Sequence, residues 1–240
     1  MNRIFHLIVL WAGLGTVFGY SDTLHYDLTI FGITCGEISY ISEKDKMAVT
    51  AQSSGFVEYF YPFKNDYNTS FDTLSFGVRH YKKITRQGEF KQRLSGNWDK
   101  SLEEFTYDKL GSFKRADSCM TIFTFLERLN RKSSEDLDTQ WFPLEHEGNM
   151  FKSRVLLADT SELIINGHSF MCNHFRLDLL PVDKEIKMLD RSDYFSHNIT
   201  RPDAVKQIWV ERKPSGKILK ASVKIGPITV TATLKNERVL

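Results

Sequence analysis

Along most of the chain, apolar and polar residues alternate with a period of two, the pattern of a strand with one face buried. Leu24, Tyr26, Leu28 and Ile30 alternate with His25, Asp27 and Thr29, which predicts an opening strand. Gly32 interrupts it, a second strand is expected over Gly36 to Tyr40, and Met47, Val49 and Ala51 mark a third. The most regular alternation lies near the C-terminus. Leu219, Ala221, Val223 and Ile225 fall on one face, and Lys220, Ser222 and Lys224 on the other. After Gly226-Pro227, Ile228, Val230, Ala232 and Leu234 alternate with Thr229, Thr231 and Thr233. Antiparallel sheets have this habit of one core face and one solvent face.

The turns agree with a meander. Asn166-Gly167, set between Leu163-Ile164-Ile165 and Phe170-Met171, suits a two-residue type I′ hairpin. Pro214-Ser215-Gly216 joins a strand holding Ile208 and Val210 to one beginning at Lys217. One segment has helical spacing instead: Met120, Ile122, Phe123, Phe125, Leu126 and Leu129 predict a helix over 118–130. Asp117 or Ser118 is its expected N-cap, with Glu127 and Arg128 on the far side. Arg131 to Asp138 reads as a loop and Val182 to Pro202 as a long irregular connection. The expected fold is mainly β: a curved antiparallel sheet, or a half or full barrel, with one main helix packed on it.

The N-terminus changes the picture by adding a compartment. Arg3 precedes the uncharged apolar stretch Ile4 to Phe18, and Val17 and Gly19 occupy the −3 and −1 places of a small-residue cleavage site. Residues 1–19 are therefore expected to be a signal peptide, and 20–240 a single β-rich domain. The stretch is short for a membrane span of roughly 20 residues, and no later segment is long and apolar enough for one. The remaining chain, about 220 residues, is large enough for a core without disulfide staples. The net charge of +2 drops to +1 once Arg3 is removed (2 − 1 = 1). So even a balance lacks the concentrated positive surface of a nucleic-acid protein. It also argues against electrostatic attachment to membranes. Cys35, Cys119 and Cys172 allow one internal bridge at most and read as buried thiols.

Four stretches in this order carry a family resemblance: LHYDLTIFGITCGEISY, SCMTIFTFLERL with its loop and paired strands, ELIINGHSFMCNHFRLDL, and IWVERKPSGKILKASVKIGPITVTATL. Together they resemble domain-of-unknown-function family 3108, bacterial proteins exported to the cell envelope, over residues 22 to 235. One departure is that Glu211-Arg212-Lys213 precede Pro214 directly, where the family often carries acidic and arginine residues. The resemblance implies a curved antiparallel sheet with a helix and a periplasmic or otherwise exported location. It brings no reaction, cofactor or catalytic residue.

Several constellations bear on chemistry. Cys35 stands between Gly32 and Gly36, but strand follows strand there, so a bulge or close backbone approach is expected in place of a nucleophile elbow. His168, Phe170, Cys172 and His174 share a face if their strand is regular, making Cys172 and His174 the candidate metal ligands. Zinc needs three or four ligands. The spacing supplies no others, so a strand rim with one buried thiol and no metal is the expectation. Phe56, Tyr59, Phe60, Tyr61 and Phe63 form an aromatic cluster, with Tyr59, Phe60 and Tyr61 the candidate ligand-binding residues. Core packing with a loop plug is the favoured account of that cluster. Glu103 and Glu104 face opposite ways on a strand and cannot form a glycosidase pair, and Asp190 and Asp193 read as solvated loop residues. No catalytic residue and no cofactor follow.

The function expected is a non-enzymatic binder of a hydrophobic ligand, a glycan or another envelope component. A hydrolase with an unrecognised active site, or an assembly partner without a small ligand, are the alternatives. The partners expected are a lipid, a glycan or another envelope protein, with no nucleic acid. An aromatic-lined cavity favours the binder, and a nucleophile beside a base favours the enzyme. A filled interior with an exposed apolar patch favours the partner protein.

Overall fold

A computed structural model describes residues 22–182, 192–212 and 216–235. The expected signal peptide, Asp190, Pro214 and Ser215 lie outside the described residues. Strands β1 (Asp22–Ile30), β2 (Ile33–Ser42), β3 (Lys46–Ser53), β4 (Phe63–Phe71), β5 (Val78–Gln87), β6 (Phe90–Asp99), β7 (Glu104–Tyr107) and β8 (Gly111–Lys114) form a first meander. Helix α1 (Phe56–Phe60) connects β3 to β4. Helix α2 (Ile122–Arg131) leads to a second meander: β9 (Phe142–His146), β10 (Asn149–Ile165), β11 (His168–Pro181), β12 (Val205–Glu211), β13 (Ile218–Ile225) and β14 (Ile228–Leu234). Helix α3 (Tyr194–Thr200) interrupts the connection from β11 to β12, within the stretch expected to be irregular.

The two meanders join through β1 and β14 into one antiparallel sheet of 14 strands, ordered β8-β7-β6-β5-β4-β3-β2-β1-β14-β13-β12-β11-β10-β9. The ends of the described chain thus sit mid-sheet and its middle supplies both edges. The sheet curves until the edges approach without closing. A short extended stretch bridges the gap. Cys119 O accepts from the Val78 N–H at 3.0 Å, while Met120 N–H donates to Pro143 O at 3.0 Å and its carbonyl accepts from Glu145 at 2.8 Å.

The helix that sequence periodicity predicts lies inside this curve. Phe123 packs on Tyr67 of β4 with ring centroids 4.5 Å apart. Asn130 donates to the Tyr40 hydroxyl of β2 at 3.1 Å and accepts from the Ile218 N–H of β13 at 3.0 Å. Arg128 lies 4.4 Å over the Phe142 ring of β9. A helix touching strands from both meanders must fill the interior, and Ile122, Phe123, Phe125 and Leu129 are all buried. Its N-cap is Thr121, in a reciprocal box with Thr124, not Asp117 or Ser118. Glu127 is also buried, accepting from the Ser42 hydroxyl at 2.5 Å, so the expected polar far side is absent at that position.

Local signals resolve as their chemistry dictates. Asn166 and Gly167 both have positive φ (52° and 82°), as a type I′ turn requires. Leu28 pairs with Gly36 and Thr29 with Thr34, which leaves Cys35 as the extra residue of a bulge. A Cβ on Gly36 would meet Gln52 O at 2.5 Å, so glycine is needed for the close approach of β3. All three cysteines are buried free thiols. On β13, Leu219 and Ala221 join the core as expected, but Val223 and Ile225 are only half-buried and Ser222 is buried instead. The packed interior ends before the strand does.

Candidate functional site

The antiparallel registers gather several connections at one end of the sheet: the β1–β2 turn, α1, the β5–β6 turn, the β9–β10 turn, the segment holding α3, and the β13–β14 turn. Near that end an apolar groove of about 510 Å³ opens beside the β9 edge. It is lined by Trp141, Phe142 and Pro143 at and before the start of β9, Met150 and Phe151 of β10, and Leu180 and Val182 at and just past the end of β11. Among the described residues, Lys152 is the one charged residue lining it. β10 carries Met150 and Lys152 on the face opposite Phe151, whose side chain is buried. The β9–β10 turn at Glu147-Gly148 is short.

Behind the groove lies a buried ionic cluster. Lys83, inward-facing on β5 and 0% exposed, pairs with Glu147 of the β9–β10 turn and with Asp193 Oδ2 at 3.1 Å. Ser192 donates to Glu147 Oε2 at 2.8 Å. Asp193 Oδ1 accepts from the Tyr67 hydroxyl at 2.8 Å and from the Ser196 N–H at 2.9 Å, capping α3. Burial pushes the Asp193 carboxyl up, but Lys83 and the capping bonds outweigh it and hold the group below its ordinary range. Next door, Glu145 accepts from the Tyr107 hydroxyl at 2.7 Å, and burial raises its carboxyl to about 7. His146 is buried and its imidazole is driven down by desolvation.

Ser192, Lys83 and His146 are the residue types of nucleophile and base. The Ser192 hydroxyl donates to Glu147, and Lys83 Nζ lies between the Glu147 and Asp193 carboxylates. The cluster ties β5 to the β9–β10 turn and to the start of α3, across the gap between the sheet's edges. The expected solvated Asp193 is therefore corrected to a fully buried ion-pair partner. Sequence reading passed over Lys83, because Glu147 and Asp193 lie 64 and 110 residues away.

The other expected residues are placed as follows. Tyr59, Phe60 and Tyr61 do not line the groove; Tyr59 is 87% and Phe60 72% exposed, and no residue of α1 is buried. The favoured account of core packing is thereby overturned. Five residues are too few to lay a stripe on the sheet, and the aromatic side chains turn outward. Cys172 is buried with its thiol donating to Phe170 O at 3.5 Å. His174 stacks flat on Trp209, with centroids 4.4 Å apart, and its Nδ1 lies 3.3 Å from Asp159. Among the described residues no group of three or more His, Cys, Asp and Glu side chains is arranged to hold a metal. Nor is any helix among them long and apolar enough to cross a membrane.

No family model and no curated protein matches the chain. Among solved structures, it is similar to the crystal structure of a beta-barrel-like protein of domain of unknown function DUF1849 from Brucella abortus, with 10% sequence identity and a TM-score of 0.55. The similarity covers 89% of this chain and 95% of that one. At such identity it shows the fold: a β-barrel-like antiparallel architecture found in a family of unknown function.

Proposed function

We propose that this protein is an exported, non-enzymatic binder that holds the apolar chain of an anionic amphiphile in the groove beside β9. The observation that carries the reading is the groove itself. Its volume of about 510 Å³ lies within the range of small-molecule sites, and its walls are almost wholly apolar. Lys152 at the margin suits an acidic head group. At about 0.8 kcal/mol per buried CH₂, a chain of about ten methylenes supplies roughly 8 kcal/mol before the costs of association, so affinity is micromolar at best. The resemblance to family 3108 supports the cell-envelope setting, and the apolar stretch Ile4 to Phe18 supports export.

Titration with palmitate, followed by tryptophan emission, tests this reading. A saturable change is expected that disappears in Trp141→Phe and in Leu180→Glu, which places a charge in the wall. Lys152→Gln should weaken palmitate more than hexadecanol, which lacks the acidic head. Binding that survives Leu180→Glu, or no binding at all, refutes the groove as the site.

A further inference from the structure

The end of the sheet that carries α1 is apolar in an unusual way. Phe31 and Gly32 form the β1–β2 turn with φ of 52° and 77°. The first place of such a turn favours Asn, Asp or Gly, and a bulky residue there is strained. Phe31 is nevertheless 69% exposed, as is Ile33, so folding gains nothing from either side chain. In the adjacent β3–β4 connection, α1 presents Phe56, Tyr59 and Phe60, with the Phe56 and Phe60 rings 4.6 Å apart, and Tyr61 follows exposed. Packing accounts for none of these aromatics.

The flank of the same end is cationic. Lys64, Arg86 and Lys91 stand directly opposite one another on β4, β5 and β6, in the last outward-facing row before the rim. All three are exposed. Like charges in direct cross-strand register destabilise a sheet, so the fold does not account for this row either. Arg93 and Lys82 follow in the next rows; Asp66, which pairs with Arg86 at 3.3 Å, is the carboxylate among them. Glu58 of α1 and Glu89 of the β5–β6 turn are acidic groups at this end, and the same row continues through Gln52 to Glu37 and Asp27, both paired with Lys235. The β5–β6 turn and the exit of α1 are joined by the Gly88 N–H to Pro62 O bond at 2.9 Å, so aromatic tips and cation row form one surface. The near-neutral total charge conceals this concentration.

We infer that the α1 end docks on an anionic lipid surface, with Phe31, Ile33, Phe56 and Phe60 entering the interface and the Lys64–Arg86–Lys91 row facing the head groups. A turn and a one-turn helix offer side chains singly, as tips, where a protein interface would offer a continuous packed face. Tyr59 and Tyr61 have the amphipathic rings that settle at a membrane–water boundary. The inference does not depend on the groove, which lies on other strands.

Flotation of the protein with vesicles tests it, using phosphatidylcholine alone and an equal mixture of phosphatidylcholine and phosphatidylglycerol. Binding is expected to the mixed vesicles, weakened by salt, and little to phosphatidylcholine alone. Lys64→Gln and Lys91→Gln should each reduce affinity about fivefold, the worth of one basic residue near an anionic leaflet. The double variant Phe31→Ser/Phe60→Ser should lose binding while keeping its melting temperature, and Tyr59→Trp should show a blue-shifted emission on the mixed vesicles. Absence of binding at low salt, or unchanged binding of the double variant, overturns the inference. If the wild type fails to float and instead self-associates through Phe31 and Phe60, the surface belongs to a protein contact and the inference is likewise overturned.

Discussion

Glu145 is fully buried, yet the charges around it are few: Arg115 attracts it, Glu147 repels it, and the Tyr107 hydroxyl donates to it. Desolvation dominates and raises its carboxyl from 4.5 to about 7. The folded protein therefore prefers the protonated form more than the unfolded chain does. The stability linked to this group is fully present below pH 4.5 and is lost as pH rises through about 7. Wild type and Glu145→Gln, compared by thermal unfolding from pH 5 to pH 7.5, should diverge with rising pH in favour of the variant. The gap approaches about 3 kcal/mol at its upper bound. Parallel pH profiles would show that Glu145 is not held in this way. None of this is visible in the local sequence, where Glu145-His146-Glu147-Gly148 has the composition of an ordinary charged turn. Burial there comes from Tyr107 and Lys83, which belong to distant strands.

At the scale of elements, hairpins were legible wherever turn chemistry and alternation coincided, as at Asn166-Gly167 and at Gly226-Pro227. The helix was legible from its apolar spacing, but not its start. Asp117 is engaged by Arg79 and Ser118 is exposed, whereas Thr121 makes the cap at 3.3 Å to the Thr124 N–H. Thr121→Ala should cost about 1 kcal/mol in denaturant unfolding, and Ser118→Ala under about 0.5 kcal/mol. Equal effects would put the cap elsewhere. The groove was not legible, because Phe142, Met150 and Leu180 lie on three different strands and meet only through sheet register. The aromatic run Phe56 to Phe63 was conspicuous, yet composition cannot tell a buried cluster from an exposed one. Only a connection too short to fold back on the sheet decides it.

For the whole molecule, the Lys83–Glu147–Asp193 cluster fastens two meanders whose edge strands do not pair with each other. Removing one member leaves uncompensated charge in a dry interior. Lys83→Met should destabilise by about 3–5 kcal/mol, and adding Glu147→Gln and Asp193→Asn to it should restore much of that loss. Both are read from denaturant midpoints. If the single variant costs less than about 1 kcal/mol, the cluster is not what fastens the halves. The packed interior follows from the same architecture: α2 leads from β8 towards β9 and lies within the curve of the sheet.

The pairing of β1 with β14 also fixes the order in which the protein can assemble. Thr29 and Thr231 are 202 residues apart, and closing so long a loop costs about 5 kcal/mol of chain entropy before any contact across it forms. A chain emerging from its N-terminus can zip β1 to β2 and β2 to β3 at once, as local hairpins. The free side of β1 then waits as an unpaired edge until the final strand appears, so this junction is expected to form late and to be the place where two half-made molecules would stick together.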